Sequence, residues 1–309
     1  MTGLLTGFGS VAVIILIGWA LGRSRVLGPR GGFAINMVVF WVSTPCLLLH
    51  TLAGTDPRTI LSAPLAVAAG AALVTALVYG LIARAWLGTR GPRLVVGGLA
   101  ASYANAANLG IPIAVAVLGD ASAVVPVLLF QIALYAPAAM TVLDVLTRPG
   151  RGIDWRTILL TPVRNPITVA AIGGLIAGGI GRPLPSFVAT PVELLGGAAV
   201  PMALLAFGVS LSGSRLLEPG VSPRRAVLLA SVLKVVIQPI IGFVLAHVLF
   251  GMEGRELLAA VVIAALPTAQ NVLTYATRYR VGEVGARDTG VVTTIACVPV
   301  VLVIALLLG

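Results

Sequence analysis

Long stretches without a single Asp, Glu, Lys or Arg limit what this chain can fold into more than any other feature. They run over residues 3–22, 31–55, 59–83, 94–119, 121–143, 194–214, 257–277 and 289–309. A bilayer's hydrocarbon core is about 30 Å thick and takes about 20 apolar helical residues to cross. Two weaker stretches complete the series: the short, glycine-rich 166–181, and 226–252, which contains Lys234 and His247. Only 10% of the residues are charged and 59% are hydrophobic, against about 25% charged in a soluble domain. The expectation is an all-α integral membrane protein with ten transmembrane helices. The first stretch lacks a charged leader and a small-residue cleavage site, so it is expected to remain as a membrane helix.

A net charge of +10 could suit nucleic acid, but its distribution argues for a membrane. With ten spans, Arg23, Arg25, Arg30, Arg84, Arg90, Arg93, Arg148, Arg151, Arg156, Arg164, Arg215, Arg224, Arg225, Arg278, Arg280 and Arg287 all fall on one side. Arg58, Arg182 and Arg255 fall on the other, and Lys234 lies within a span; together these are all 20 basic residues. The positive-inside rule assigns the crowded side to the cytoplasm. A cytoplasmic (inner) membrane location with both termini outside follows. No nucleic-acid partner is expected.

The strongest polar interruption, 147–165, lies near the midpoint and contains Arg148-Pro149-Gly150 and Asp154. Five spans on each side would make two inverted repeats, 1–147 and 166–309, joined by a cytoplasmic loop over 148–165. Matching punctuation supports this division. Pro45 in span two corresponds to Pro201 in span seven. The segment from Asn105 through Asn108 and Gly110 to Pro112 in span four corresponds to Pro267, Gln270 and Asn271 in span nine.

Proline removes a backbone donor and clashes with the preceding turn, and in hydrocarbon the freed groups must be satisfied or line a cavity. Paired interrupted spans in corresponding halves are the best sequence pointer to a transporter's binding site. Half-helix N-termini offer free N–H groups and a positive dipole end, which suit an anion. The amides of Asn105, Asn108, Gln270 and Asn271 add neutral donors. The bland reading is that such prolines only kink helices, as expected for Pro126, Pro137, Pro239 and Pro299, and that the amides bond across helices.

Ionisable groups inside a membrane are costly. Lys234 either serves a coupling or charge role or snorkels to the interface. Asp144 and Glu193 are expected at solvated span edges, and His50 and His247 in polar packing near the outer side. Cys46 and Cys297 lack metal-type spacing, so no metal and no cofactor are expected. The glycines from Gly173 to Gly179 suit close helix packing, in a dimer or a scaffold seam. No catalytic constellation stands out, and the chain is not expected to be an enzyme.

At these motifs the chain resembles the auxin efflux carrier family. The matching pieces, in order, are Asn105 to Pro112, Gln131, Arg164-Asn165-Pro166 with Thr168, Pro201 to Gly208, Lys234, and Pro267 to Tyr279. Each is short, and together they cover essentially the whole chain. The resemblance implies two inverted five-helix repeats in which helices four and nine are broken and cross. Spans one, two, six and seven would form a dimerising scaffold, giving a homodimer in the lipid bilayer. Spans three to five and eight to ten would form a transport domain. The substrate, a small organic anion such as a carboxylate, would be held at the crossover by Asn105, Gln131, Gln270 and Asn271 under elevator-like alternating access. The chain lacks the long central loop of plant members, and its third span carries no charge.

Two other readings stand beside this one. A sodium-coupled organic-acid symporter would want an acidic oxygen ligand at the crossing, and spans four and nine offer none near their breaks. A membrane-embedded sensor or scaffold would want a signalling loop, and no internal loop is long enough to fold.

Overall fold

The computed structural model describes residues 2–24, 26–28, 30–54, 63–147, 166–181, 184–212 and 216–309. The expected connecting loop at 148–165 lies outside them, as do Arg25, Arg58, Arg182 and Arg215. Among the described residues the chain is helical, apart from one isolated antiparallel bridge between Ala104 and Thr268. The helices are α1 (Thr2–Ser24), α2 (Gly31–Ala53), α3 (Ala63–Trp86), α4 (Pro92–Ser102), α5 (Ala106–Leu118) and α6 (121–147). They continue with α7 (Pro166–Ile180), α8 (Ser186–Gly197), α9 (Ala199–Leu211), α10 (Arg224–Leu249), α11 (Gly254–Ala264), α12 (Gln270–Tyr279) and α13 (Glu283–Leu308).

Five helical stretches are long and apolar enough to cross a membrane: α2, α3, Ser186–Ala206, α10 and α13. The other apolar helices are shorter, including α5, α7 and the last half of α1. This is the helix inventory of a multi-pass membrane protein.

Prolines shape these helices in a consistent way. Single π turns occupy 39–43, 106–110, 131–135 and 233–237. Each of these is followed two residues later by a proline, Pro45, Pro112, Pro137 and Pro239, whereas a fifth π turn at 244–249 in α10 has none after it. A proline cannot donate to the carbonyl four residues back and its ring collides with it; one wider turn relieves both. At Pro137 and Pro239 the helix continues past the proline. Pro201 is accommodated differently, by a break at Ala198 between α8 and α9.

Helix α10 shows what the wide turns achieve. Ala230, Lys234, Gln238, Gly242 and Ala246 are all buried, each four residues after the last. Leu228, Val232, Val236, Ile240, Val244 and Val248 are all exposed, again at intervals of four. Exposed apolar rows also run along α3 (Leu73, Leu77, Leu81) and α7 (Ile172, Ile176, Ile180). In water such faces would drive association; hydrocarbon covers them at no cost.

Two helix starts depart from the sequence reading. Helix α8 begins at Ser186, so Glu193 lies inside a helical stretch and not at its edge. Helix α13 begins at Glu283, which brings Asp288 into the helix. A scan for charge-free runs stops at both carboxylates, whereas the backbone continues through them.

The chain forms two compact units. The first comprises residues 1–62, 107–125 and 162–214; the second comprises 63–106, 126–161 and 215–309. Glycine seams hold the first unit together. A Cβ on Gly208 of α9 would lie 2.9 Å from the Gly18 Cα of α1, and one on Gly174 of α7 would lie 3.0 Å from the Leu49 carbonyl of α2. The glycine-rich seventh helix thus spends Gly174 on a contact within the chain. In the second unit α3 and α10 flank α4, while α13 packs on α10, α11 and α12. A cluster including Tyr79, Tyr103, Phe130, Tyr135 and Tyr279 fills its core.

Candidate functional site

The two interrupted helices meet inside the second unit. Helix α4 stops at Ser102, and Tyr103 turns extended with φ −81° and ψ 110°. Helix α11 stops at Ala264, two residues before Leu266, where the following Pro267 disfavours helical backbone. The two extended segments then pair. The Asn105 N–H donates to the Pro267 carbonyl at 2.7 Å, and the Ala269 N–H donates to the Tyr103 carbonyl at 3.0 Å. Thr268 is fixed on both sides: its hydroxyl donates to the Ala100 carbonyl at 2.6 Å, and its N–H donates to Thr293 Oγ1 at 3.0 Å. Buried backbone groups released by the breaks are thereby satisfied, as a low-dielectric interior demands.

The carbonyl ends of α4 and α11 carry partial negative charge, and one pair of side chains serves both. Fully buried Lys234 donates from Nζ to the Ala264 carbonyl at 3.2 Å and to Gln238 Oε1 at 2.7 Å. Gln238 Nε2 in turn donates to the Ser102 carbonyl at 3.2 Å. Lys234 therefore does not snorkel. Gln238 was not singled out from the sequence, although its place one helical turn after Lys234 was the available signal.

Aromatic rings line the same region. Tyr103 stacks on Tyr135 with centroids 5.6 Å apart and meets the edge of Tyr275 at 6.2 Å. Phe130 also stacks on Tyr135 at 5.3 Å, and the Tyr135 and Ser102 hydroxyls are 2.6 Å apart. The Tyr103 hydroxyl neighbours Asn271 and Tyr275 and lies 3.5 Å from the Gln131 carbonyl. Gln131 opens the π turn of α6 and is buried, and among the described residues its Nε2 has no hydrogen-bond partner.

Of the residues singled out from sequence, Asn105, Gln131, Lys234, Pro267, Gln270 and Asn271 all belong to the second unit. Asn105 is buried, while Gln270 and Asn271 are exposed at the start of α12. Asn108, Gly110 and Pro112 belong to the first unit, in α5; Asn108 is half-buried, and Gly110 and Pro112 are buried. His247, which is exposed, packs on Phe243 with centroids 5.5 Å apart and lies 3.2 Å from the Met252 carbonyl. The sequence reading also passed over Asp288, which is fully buried. Its carboxylate accepts from Arg287 Nε at 2.9 Å and from the Leu217 N–H at 3.3 Å, while Arg224 donates to the Leu217 carbonyl at 2.8 Å.

Comparison with known proteins covers nearly the whole chain. A family profile described as "Membrane transport protein" matches residues 8–305. A protein of Methanothermobacter thermautotrophicus described as an uncharacterized transporter is 28% identical over 265 residues, spanning 84% of this chain and 83% of that protein.

Proposed function

This chain belongs to the membrane transport protein family, the auxin efflux carriers that its motifs resemble, and on that premise we propose that it is a secondary carrier of small organic anions, carboxylates above all. One observation carries the reading. Two interrupted helices pair through Asn105 and Pro267, so that α12 starts at Gln270 beside the pairing. A fresh helix N-terminus offers unpaired N–H groups and a positive dipole end to a carboxylate. Gln270 and Asn271 stand exposed there, and Asn105 is buried in the segment that pairs with Pro267. The spare Nε2 of Gln131 and the rings of Tyr103 and Tyr275 supply a donor and flat apolar walls for the rest of the molecule.

Ten spans in two inverted repeats complete the proposal, with α4–α5 and α11–α12 as the broken pair. In this scheme the first, second, sixth and seventh spans form a scaffold and the others a transport body. That residues 1–62 and 162–214 share a compact unit supports the scaffold, while 107–125, with the second half of the fourth span, falls in that unit as well. In this scheme transport is elevator-like, the protein is a homodimer in the cytoplasmic membrane, and both termini face outward. The test is uptake of labelled malate, malonate and indole-type acids into proteoliposomes. Accumulation of at least one acid above protein-free vesicles, competed by unlabelled acid, is expected. If no carboxylate enters under any imposed ion gradient, the proposal fails.

A further inference from the structure

We propose that the Lys234 ammonium is a resident cation of the crossover, doing by covalent attachment what a bound sodium ion would otherwise have to do. Two helix C-termini converge on this point, at Ser102 and Ala264. Each carries about half a negative charge on carbonyls left without intrahelical donors. In a water-poor interior such a pair of ends needs a positive charge or a set of donors.

Lys234 supplies the charge. Its Nζ reaches the Ala264 carbonyl at 3.2 Å directly and the Ser102 carbonyl through Gln238, by bonds of 2.7 Å and 3.2 Å. The buried Cys297 also lies near it. Among the described residues no carboxylate pairs with it, so the helix ends are its counter-charge. The arrangement is built, because Lys234 and Gln238 occupy successive positions of the buried row of α10 and are held in line by the π turn at 233–237.

A tethered cation needs no gradient to fill its site and cannot leave with the substrate. If the carrier reading of the previous subsection holds, transport is independent of sodium. The structural half of the proposal does not depend on that reading.

The experiment measures melting of the purified full chain in sodium, potassium or choline chloride at equal ionic strength. The parent is expected to melt alike in all three. Lys234→Ala is expected to melt roughly 5–10 °C lower in choline, as for a buried charge site stripped of one partner, and to recover in sodium. Lys234→Met, which keeps an unbranched chain of nearly the same reach without charge or donor, should show the same cation dependence. A parent stabilised by sodium over choline would mean that the site takes an external ion, and overturns the proposal. So would variants that melt like the parent, or variants indifferent to every cation. A protein that melts as expected yet carries no carboxylate would sink the transport reading and leave this assignment standing.

Discussion

The Thr268 hydroxyl donates to the Ala100 carbonyl at 2.6 Å, joining residues 168 apart in sequence. This bond sits where the two broken helices cross, and the Thr268 N–H is held at the same time by Thr293. The crossover is thus fastened by side chains as well as by backbone pairing. Thr268→Val keeps the shape and deletes the donor, leaving a buried carbonyl unsatisfied. A loss of about 1–3 kcal/mol is expected, read as a fall in Tm in detergent, whereas Thr268→Ser should melt near the parent.

Asn105→Ala separates structure from recognition. The bond from Asn105 to Pro267 is made by the backbone N–H, so removing the side chain leaves the pairing intact. Carboxylate uptake should drop at least tenfold, on the order of 1.4 kcal/mol or more, with Tm nearly unchanged. Asn271→Ala should behave likewise. If both variants transport normally, the anion is held elsewhere.

The glycine seam between α1 and α9 gives a steric prediction. A Cβ on Gly208 would fall 2.7 Å from the Trp19 nitrogen, and backbone cannot step aside as a side chain can. Gly208→Ala should cost about 1–3 kcal/mol. Gly197→Ala on α8 meets nothing within 4 Å and serves as the control, with no loss of Tm.

The lipid-facing row of α10 can be tested by charge. Ile240 is 54% exposed between Val236 and Val244. Ile240→Lys should reduce membrane insertion or folded yield by an amount consistent with about 2.5–3.5 kcal/mol. A lysine tolerated there without loss would mean that this face meets water.

The loop before α10 holds Leu217 at φ 53°, a left-handed conformation that side chains disfavour. Asp288 and Arg224 grip its N–H and carbonyl. Leu217→Gly should leave Tm unchanged or raise it slightly. Asp288→Ala should speed hydrogen exchange at residues 216–222.

Proline and amide punctuation made the crossover legible in sequence, because proline's missing donor acts at the position where it stands. Asn105, Pro267, Gln270 and Asn271 fall in one unit, whereas Asn108, Gly110 and Pro112 of the same punctuation fall in the other; Gln131 entered through the resemblance and Lys234 through its charge. What escaped were features that depend on partners distant in sequence. Gln238 matters through Ser102, and Asp288 is buried because Leu217 and Arg287 satisfy it. The starts of α8 and α13 were misplaced for a related reason. A run of uncharged residues reports the cost of burying a charge, and that cost is not what ends a helix when the charge is paired or when the backbone ladder simply continues.

The two wide turns of α10 keep its register like leap days in a calendar. From Leu228 to Val248 an ideal helix gains about 200° over five whole turns, so its outward row would end up on the opposite side. Each wide turn absorbs about one residue, or about 100°, and the two at 233–237 and 244–249 cancel the drift. Deleting one residue from the second would therefore swing Val248 and the end of the helix by a quarter turn or more, while Lys234 and Gln238 stayed in place. The protein's tolerance to deletion is set in this helix by angular phase, and a deletion there is harsher than most substitutions.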